Sequence, residues 1–553
     1  MPHGAPVITM PKIFSVGDLN IDLFTHSGGG ANFGEERHAE KFYYSLGGNA
    51  ANFAVASSSL GLDTTIVSAL GKDVFTTFLL SELKRFRVKP LLKKTSSPNG
   101  VSNIFVRNDG ERAILSSKGC LLELDSKAVA RFLLPRLSED DIVFFGGFFH
   151  LPKMRNSFSA LLKSIRKKKA LVFFDACFDE YGKWLVSDFI RHVDAFFLNE
   201  LELRHITKSR SQEFGIKKLF KMGANRVVLK RGNRGAEFYC KGAKHSSAAL
   251  PVKPFNATGA GDFFNAGYAY GAVNGFGSRN RLICGNFVAG RKIAEKTYFA
   301  PTGKMLKNYL LGRNLAEIIK VRNYGESAKA AAAMVVRQLR KKPESVISLA
   351  AGKTPLAVYR ALALAYKKRE ADFSKAAFVE LDEYAGTTDE RDSFAFSLKK
   401  NFLGKVNFRP QNVFLFNGNA KNLGAECGRI AAVVKARGLD LALLGIGANA
   451  HIAFNEPGTA FNSKTRVVKI SKGVLRARKA DFAGAEPAKA ITLGISTIMS
   501  ARKIILVASG RAKARAISKS FSRRPDEGAP ASVLQRHGNA KILVDSAAGR
   551  NLL

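Results

Sequence analysis

Short apolar runs, separated by polar turns rich in Gly, recur along this chain of 553 residues. In the first half they are Lys12–Val16, Thr64–Ala69, Asp141–Phe145, Ala170–Phe174, Ala195–Leu198 and Arg226–Leu229. Each is too short for a stable helix and long enough for a buried strand. Stretches with helical spacing lie between them. Strands alternating with helices predict an α/β fold around a largely parallel sheet. The second half repeats the alternation, with a helix over Glu326–Leu339 and strands at Ser345–Leu349, Phe378–Tyr384 and Leu441–Leu444. Asn308–Ile319 reads as a connecting helix. The boundary falls near residue 310. That gives two domains, 1–310 and 311–553, each able to bury its own core.

Candidate chemistry is densest in the second half. The strand Leu441–Leu444 runs into Gly445-Ile-Gly-Ala-Asn-Ala-His-Ile-Ala-Phe-Asn-Glu-Pro457. A strand end that opens into a Gly-rich loop is where α/β sheets place ligands. His451 titrates near neutrality and Glu456 can orient it, although a lone pair of this kind is usually plain surface. Asn449 stands close by; it cannot take a proton but can orient a group by hydrogen bonds. Ala450 restricts the backbone at the turn. Upstream, Ala350-Ala-Gly-Lys-Thr-Pro355 closes another strand. A Walker A loop would need a glycine where Ile347 stands. Gly352, Lys353 and Thr354 still offer free N–H groups, a charge and a hydroxyl to a phosphate at a helix start. Phe378-Val-Glu-Leu-Asp-Glu-Tyr384 ends in adjacent acids, Asp382 and Glu383.

In the first half, Gly17-Asp-Leu-Asn-Ile-Asp22 ends the first strand with groups suited to sugar hydroxyls. Gly47-Gly-Asn-Ala-Ala-Asn52 is a Gly turn opening a helix. Asn256-Ala-Thr-Gly-Ala-Gly-Asp262 places small residues at a helix start, where backbone N–H groups and the helix dipole can hold a phosphate and a developing anion. Asp262 there can take a proton from an attacking hydroxyl.

Two resemblances follow from these motifs. Gly445–Pro457, with Gly352–Pro355 and Leu381-Asp-Glu-Tyr384, resembles the glucosamine-6-phosphate deaminases over roughly 315–550. The resemblance implies that Asp382 moves a proton between sugar C2 and C1. His451, with Glu456 and Asn449, would open the ring, and Gly352, Lys353 and Thr354 would hold the phosphate. Lys513, in Ser509-Gly-Arg-Ala-Lys513, would be a second phosphate contact, with Arg476 or Arg478 as another. Thr492-Leu-Gly-Ile-Ser496 matches a segment that often lines the family's active site. The Gly47 and Asp262 motifs together resemble the ribokinase or PfkB sugar kinases over roughly 12–305. That resemblance implies that Asp22, Gly47, Gly48, Asn49 and Asn52 line the sugar site. Gly259, Ala260 and Gly261 would form the anion hole, with Thr258 beside them on the nucleotide side and Asp262 as base. Asn199 and Glu202 match the Asn-x-x-Glu element that helps place magnesium. Lys230 and Gly232 stand at a nucleotide-contacting strand end. Gly28–Glu36 falls where such kinases carry a lid.

The expected architecture is therefore two α/β domains: a ribokinase-like domain with a small sugar-site lid, then a Rossmann-like deaminase domain. The expected activity is bifunctional. The second domain would convert glucosamine 6-phosphate to fructose 6-phosphate and ammonia without a cofactor. The first would phosphorylate a sugar from ATP or ADP with Mg2+. Asn49, where kinases of phosphosugars carry Lys, favours glucosamine as that sugar. Fructose 6-phosphate, another sugar, or a non-catalytic sensor half stay as alternatives.

Composition and charge change this picture little. Of the residues, 46% are hydrophobic and 24% charged, as in ordinary globular proteins. The five cysteines are far apart in sequence, which argues against a zinc site and for a reducing, cytoplasmic setting. The first residues lack the apolar stretch of a signal peptide, and no run is long enough to span a bilayer. The net charge of +42 is dispersed, with clusters such as Lys163–Lys169 and Arg337–Lys342. It reads as solvated helix faces that steer anionic substrates. No nucleic-acid-reading motif accompanies it. Small sugars, sugar phosphates and a nucleotide are the expected partners, and a homo-oligomer stays open.

Overall fold

The computed structural model describes residues 10–26, 34, 36, 38–107, 112–295, 298–478, 482, 484 and 486–552. Most of the Gly28–Glu36 segment lies outside them. The chain separates into two compact units between Tyr309 and Leu310.

The first unit is built on a nine-stranded sheet. Its spatial order is Ala243–Ser247, Ala236–Cys240, Arg226–Lys230, Ala195–Asn199, Leu171–Asp175, Ile142–Gly146, Ile13–Gly17, Thr64–Leu70 and Lys89–Lys94. The pairings are parallel except the two that involve Ala236–Cys240. Helices cover both faces of such a sheet, so its central strands are apolar throughout rather than alternating. Phe144, Phe145, Phe174, Phe196 and Phe197 are accordingly among the largest fully buried side chains. Gly17 and Gly146 are register partners at the sheet's carboxyl end. A Cβ on Gly17 (φ 151°) would stand 1.9 Å from the Gly146 carbonyl oxygen, so only glycine lets these strands close there. A separate four-stranded sheet, in the order Lys41–Gly47, Asn20–His26, Gly100–Val106 and Arg112–Ser117, carries Asp22. In Gly100–Val106 the buried Ile104 is followed by the exposed Phe105, as successive residues of a half-buried sheet point to opposite faces.

The second unit holds a seven-stranded parallel sheet. The order is Glu317–Val321, Ala540–Asp545, Ile504–Ala508, Leu441–Leu444, Val346–Leu349, Ala377–Glu380 and Val413–Phe414. The Tyr324–Lys341 helix begins at Asn323, whose side chain accepts the Glu326 N–H at 3.0 Å. It buries Ala328, Ala331, Ala332, Val335 and Leu339 against Ile505, Val507 and Leu543 of the sheet. A small antiparallel sheet of Asp382–Ala385, Lys489–Thr492 and Arg466–Lys469 lies beside it in the fold, with Asp382 opposite Thr492.

One expected element differs. Asn308–Ile319 is not a connecting helix: a helix over Gly303–Leu311 stops before Gly312, and Glu317–Val321 is an edge strand on Ala540–Asp545. Glu317-Ile-Ile-Lys-Val has the β-branched content of a strand, and a partner 224 residues away completes it. No helix among the described residues is long and apolar enough to cross a membrane.

Candidate active sites

In the second unit, four parallel strands end around one cavity of about 540 Å³. Val346–Leu349 leads into the Ala350–Pro355 loop, and Ala377–Glu380 leads to Asp382. Leu441–Leu444 leads into the Gly445 loop, and Ile504–Ala508 into the helix that carries Lys513. Gly352, Lys353, Thr354, Asp382, Asn449, His451 and Lys513 all line the cavity. Gly352 takes φ 106°, a conformation suited to glycine, in the loop that leads into the Leu356–Lys367 helix. Tyr324, which sequence reasoning passed over, fastens this loop by donating its hydroxyl to the Thr354 carbonyl. Only its place just after a helix cap hinted at it.

The His451 loop is a compact turn. Gly447 N–H bonds the His451 carbonyl at 2.9 Å, and Asn449 Oδ1 accepts the His451 N–H at 3.2 Å. Asn449 thus shapes the turn as well as lining the cavity. Ala450 occupies φ 71°, the left-handed region, as its place in the turn demands. The imidazole of His451 lies against Gly447, where a Cβ would fall 2.2–2.4 Å from three ring atoms. Gly447 does not need glycine for its φ, so Gly447→Ala acts through the ring alone. It is expected to cut ammonia release about 100-fold, as an ångström-scale misplacement of a reacting group does, with KM nearly unchanged. Steady-state kinetics check this.

Not every expected group converges there. Glu456 is half-buried, accepts the Ser471 N–H at 3.0 Å and is not among the lining residues. In this conformation it braces the far end of the loop. Thr492 is buried and takes the Phe454 N–H at 3.2 Å, so it ties the loop to the small sheet. Arg476 is exposed and outside the lining, and the Arg478 side chain lies outside the described residues. Glu383 accepts the Ser393 hydroxyl and the Phe394 and Ala395 N–H groups, capping the Phe394–Asn401 helix. Burial still lifts its pKa above the usual carboxylate range. Tyr384 packs against Phe394 and Phe454 in the wall behind.

In the first unit, Asp262 sits in the first turn of the Ala260–Val273 helix, entered through Gly259 at φ 75°. Asn49 Nδ2 donates to its Oδ1 at 3.1 Å and Asn52 Nδ2 to its Oδ2 at 3.4 Å. Asn49, expected at the sugar, is therefore turned to the base. Asp262 is 3% exposed, and burial, reinforced by the Asp175 charge, pushes its pKa well above the usual carboxylate range. The Asn49 bond and the Lys230 charge oppose that shift. Thr258 N–H donates to Asn256 Oδ1 at 2.8 Å and Ala260 N–H to the Ala257 carbonyl at 3.2 Å, which closes the turn at the helix start. A Cβ on Gly261 would meet Lys230 Nζ at 3.2 Å, so that ammonium lies directly beside the turn. Gly47 and Gly48 serve close approach: a Cβ on Gly47 would collide with the Asp22 carboxylate, and one on Gly48 with the Asp18 carbonyl. Asp22, Asn52, Asn256, Thr258, Lys292 and Tyr298 share a small cavity.

Lys230 also bonds Asp175 Oδ2 at 2.6 Å, and Asn265 shares that oxygen. Asp175, Asn265, Lys292 and Tyr298 were not singled out from sequence. Asp175 had one signal, a carboxylate ending an apolar run. Asn199 and Glu202 form a reciprocal capping box on the Glu200–Thr207 helix. Gly232 opens a short turn with nothing packed on its α-carbon. No group of three or more His, Cys, Asp or Glu that could hold a metal occurs among the described residues. Mg2+ carried by a nucleotide needs no such cluster, because it is held largely by phosphate oxygens and water. Burial, with Asp175 adding to it and Lys230 opposing, pushes Glu202 up to about 7, as a carboxyl short of positive charge behaves.

Glu202 accordingly has a stability signature. Its folded pKa lies above the ordinary 4.5, so its ionisation costs stability as pH rises from that value through about 7. Glu202→Gln keeps the capping box and is expected to gain on the order of 2 kcal/mol at pH 8 and nothing near pH 4. Denaturant unfolding at the two pH values checks this.

A family model described as pfkB family carbohydrate kinase matches residues 10–297. One described as glucosamine-6-phosphate isomerases/6-phosphogluconolactonase matches residues 323–543. The glucosamine-6-phosphate deaminase of Thermoanaerobacter sp. (strain X514) is 41% identical over 236 residues, which are 42% of this chain and 93% of that protein. That of Clostridium novyi (strain NT) is 39% identical over 240 residues, 43% of this chain and all of that protein. Among solved structures, a ribokinase from Thermotoga maritima is 23% identical, covering 54% of this chain and 99% of its own, with a TM-score of 0.49. This chain belongs to the pfkB family of carbohydrate kinases through residues 10–297 and to the glucosamine-6-phosphate isomerase family, with the deaminases, through residues 323–543.

Proposed function

We propose that the chain is a bifunctional amino-sugar enzyme with two catalytic domains, 1–310 and 311–553. The observation that carries the deaminase half is the single cavity that joins the Gly352–Thr354 loop, Asp382 and His451. The loop and Lys513 hold the phosphate of glucosamine 6-phosphate, which fixes the sugar's other end near Asp382 and His451. His451 moves a proton during ring opening. Asp382 takes the C2 proton and returns it to C1, which leaves an imine at C2. Water adds to that carbon and ammonia leaves, giving fructose 6-phosphate. No cofactor takes part.

In the kinase half, ATP or ADP supplies the phosphoryl group and Mg2+ offsets phosphate charge. Asp262 takes the proton of the attacking hydroxyl, while the Gly259–Gly261 N–H groups and Lys230 face the transferred phosphate. The acceptor is glucosamine, whose ammonium the Asp22 carboxylate can receive and whose product the deaminase would consume. One observation favours an anionic acceptor instead: Lys292, 4% exposed, lines the cavity that contains Asp22. Fructose 6-phosphate would then be the acceptor, with the kinase downstream. The test offers glucosamine or fructose 6-phosphate with nucleotide and magnesium, and measures ammonia and nucleoside diphosphate. Glucosamine should yield both products. Diphosphate formed only with fructose 6-phosphate would reverse the order.

A further inference from the structure

The two side chains that hold Asp262 both come from the start of the Asn49–Ser59 helix, and both are amides. An amide can present either its NH2 group or its oxygen, and the oxygen would repel a carboxylate. Which end of Asn52 faces Asp262 is decided by what holds its other end. That partner is Tyr298, 246 residues further along the chain, whose hydroxyl donates to Asn52 Oδ1 at 3.1 Å. Burial raises the Tyr298 pKa far above its ordinary value, so the phenol keeps its proton and remains a donor. The ring is held in turn. Phe86 meets it edge-on with centroids 5.8 Å apart, and Lys292 Nζ lies 5.3 Å from its centre. Lys292 also lies 5.7 Å from the centre of the Phe263 ring, next in sequence to Asp262.

We propose that Tyr298 is a positioning residue for phosphoryl transfer: its hydroxyl fixes the Asn52 amide with Nδ2 toward Asp262, and Lys292 secures the Tyr298 ring. This rests on Asp262 as the base. A correctly turned amide stabilises the carboxylate form and so holds the base available at lower pH. The other charges facing Asp262 are Asp175, Lys230 and Asp18, and those facing Tyr298 are Asp22, Glu82 and Arg85. Tyr298→Phe leaves all of them in place, so a change in the titration of Asp262 reports the amide.

The experiment uses the full-length protein with aspartate labelled at the side-chain carboxyl carbon. The Asp262 signal is identified by its loss in Asp262→Asn and is titrated in the parent and in Tyr298→Phe. The midpoint is expected to rise by about 0.5–1 pH unit in Tyr298→Phe. The acid limb of the kinase kcat profile should move with it, and kcat should fall about 3–10-fold. An unchanged Asp262 midpoint overturns the proposal even if the variant melts lower, because packing alone would lower the melt. If Tyr298→Phe does not fold, Phe86→Leu takes its place, because it removes the ring that meets Tyr298 edge-on and no charge; a smaller rise is expected and an unchanged midpoint again overturns the proposal. Kinase activity retained by Asp262→Asn would instead remove the base assignment, leaving the Tyr298 hydrogen bond to be judged by the titration alone.

Discussion

Asp382→Asn is expected to lower ammonia release from glucosamine 6-phosphate by about 10²–10⁴-fold, the range for losing a positioned general base. The substitution keeps the size and shape of the side chain. Asp382 is 7% exposed and sits where the chain leaves the parallel sheet after Glu380 and joins the small antiparallel sheet. Backbone pairing on both sides holds that position, so an amide there should not move the strand. What it loses is the ability to accept the C2 proton. The Gly352–Thr354 loop and Lys513, proposed to hold the phosphate, line the cavity from other strand ends, so KM should stay within a few-fold. A variant with more than a tenth of parental kcat would remove Asp382 from the proton transfer. Phosphoryl transfer by the same preparation should be unaffected, because the first unit has its own core.

Asp262→Asn should do the converse, cutting phosphoryl transfer by about 10²–10⁴-fold while deamination persists. Its burial and the Asp175 charge hold its pKa high, which makes it a stronger base once ionised and leaves it protonated further up the pH scale. Parental kinase activity should therefore fall as pH drops, over a range above that of an ordinary carboxylate. Asparagine cannot accept the hydroxyl proton at any pH. It keeps one oxygen, which serves only one of the Asn49 and Asn52 amides, so a modest loss of stability accompanies the loss of activity. Nucleotide affinity, proposed to depend on the Gly259–Gly261 turn and Lys230, should change little. Diphosphate release from the variant at the parental rate would show that another group takes the proton.

The two variants depend on residues that differ in how visible they were. Asp262, His451 and Asp382 each sit in a local pattern of turn and strand end. Local patterns are written in consecutive residues, because glycine, dipole and capping requirements act over a few positions. The same holds for Gly352 and for the capping box of Asn199 and Glu202. The alternation of apolar runs likewise fixed the α/β class, since a strand covered on both faces must be apolar along its length.

Other features depend on partners that sequence does not place. Glu317–Val321 became a strand because Ala540–Asp545 offers an edge, and helical spacing nearby could not reveal it. Asn49 stands in a sugar-site motif, yet its amide is turned by Asp262, 213 residues away. Glu456 follows His451 closely in sequence, but the backbone between them carries it to Ser471. Lys230 and Asp175 meet only because their strands flank Ala195–Asn199 in one sheet.

By itself the sequence determined the two α/β units, the helix and strand ends that present the chemistry, and the residue types gathered there. These follow from short-range sterics, hydrogen-bond supply and burial pattern. Only the tertiary structure decided which oxygen faces which amide, which carboxylate stands within a cavity and which braces a loop behind it. Those outcomes are set by packing between segments hundreds of residues apart, where shifts of an ångström or two separate a contact from a neighbour.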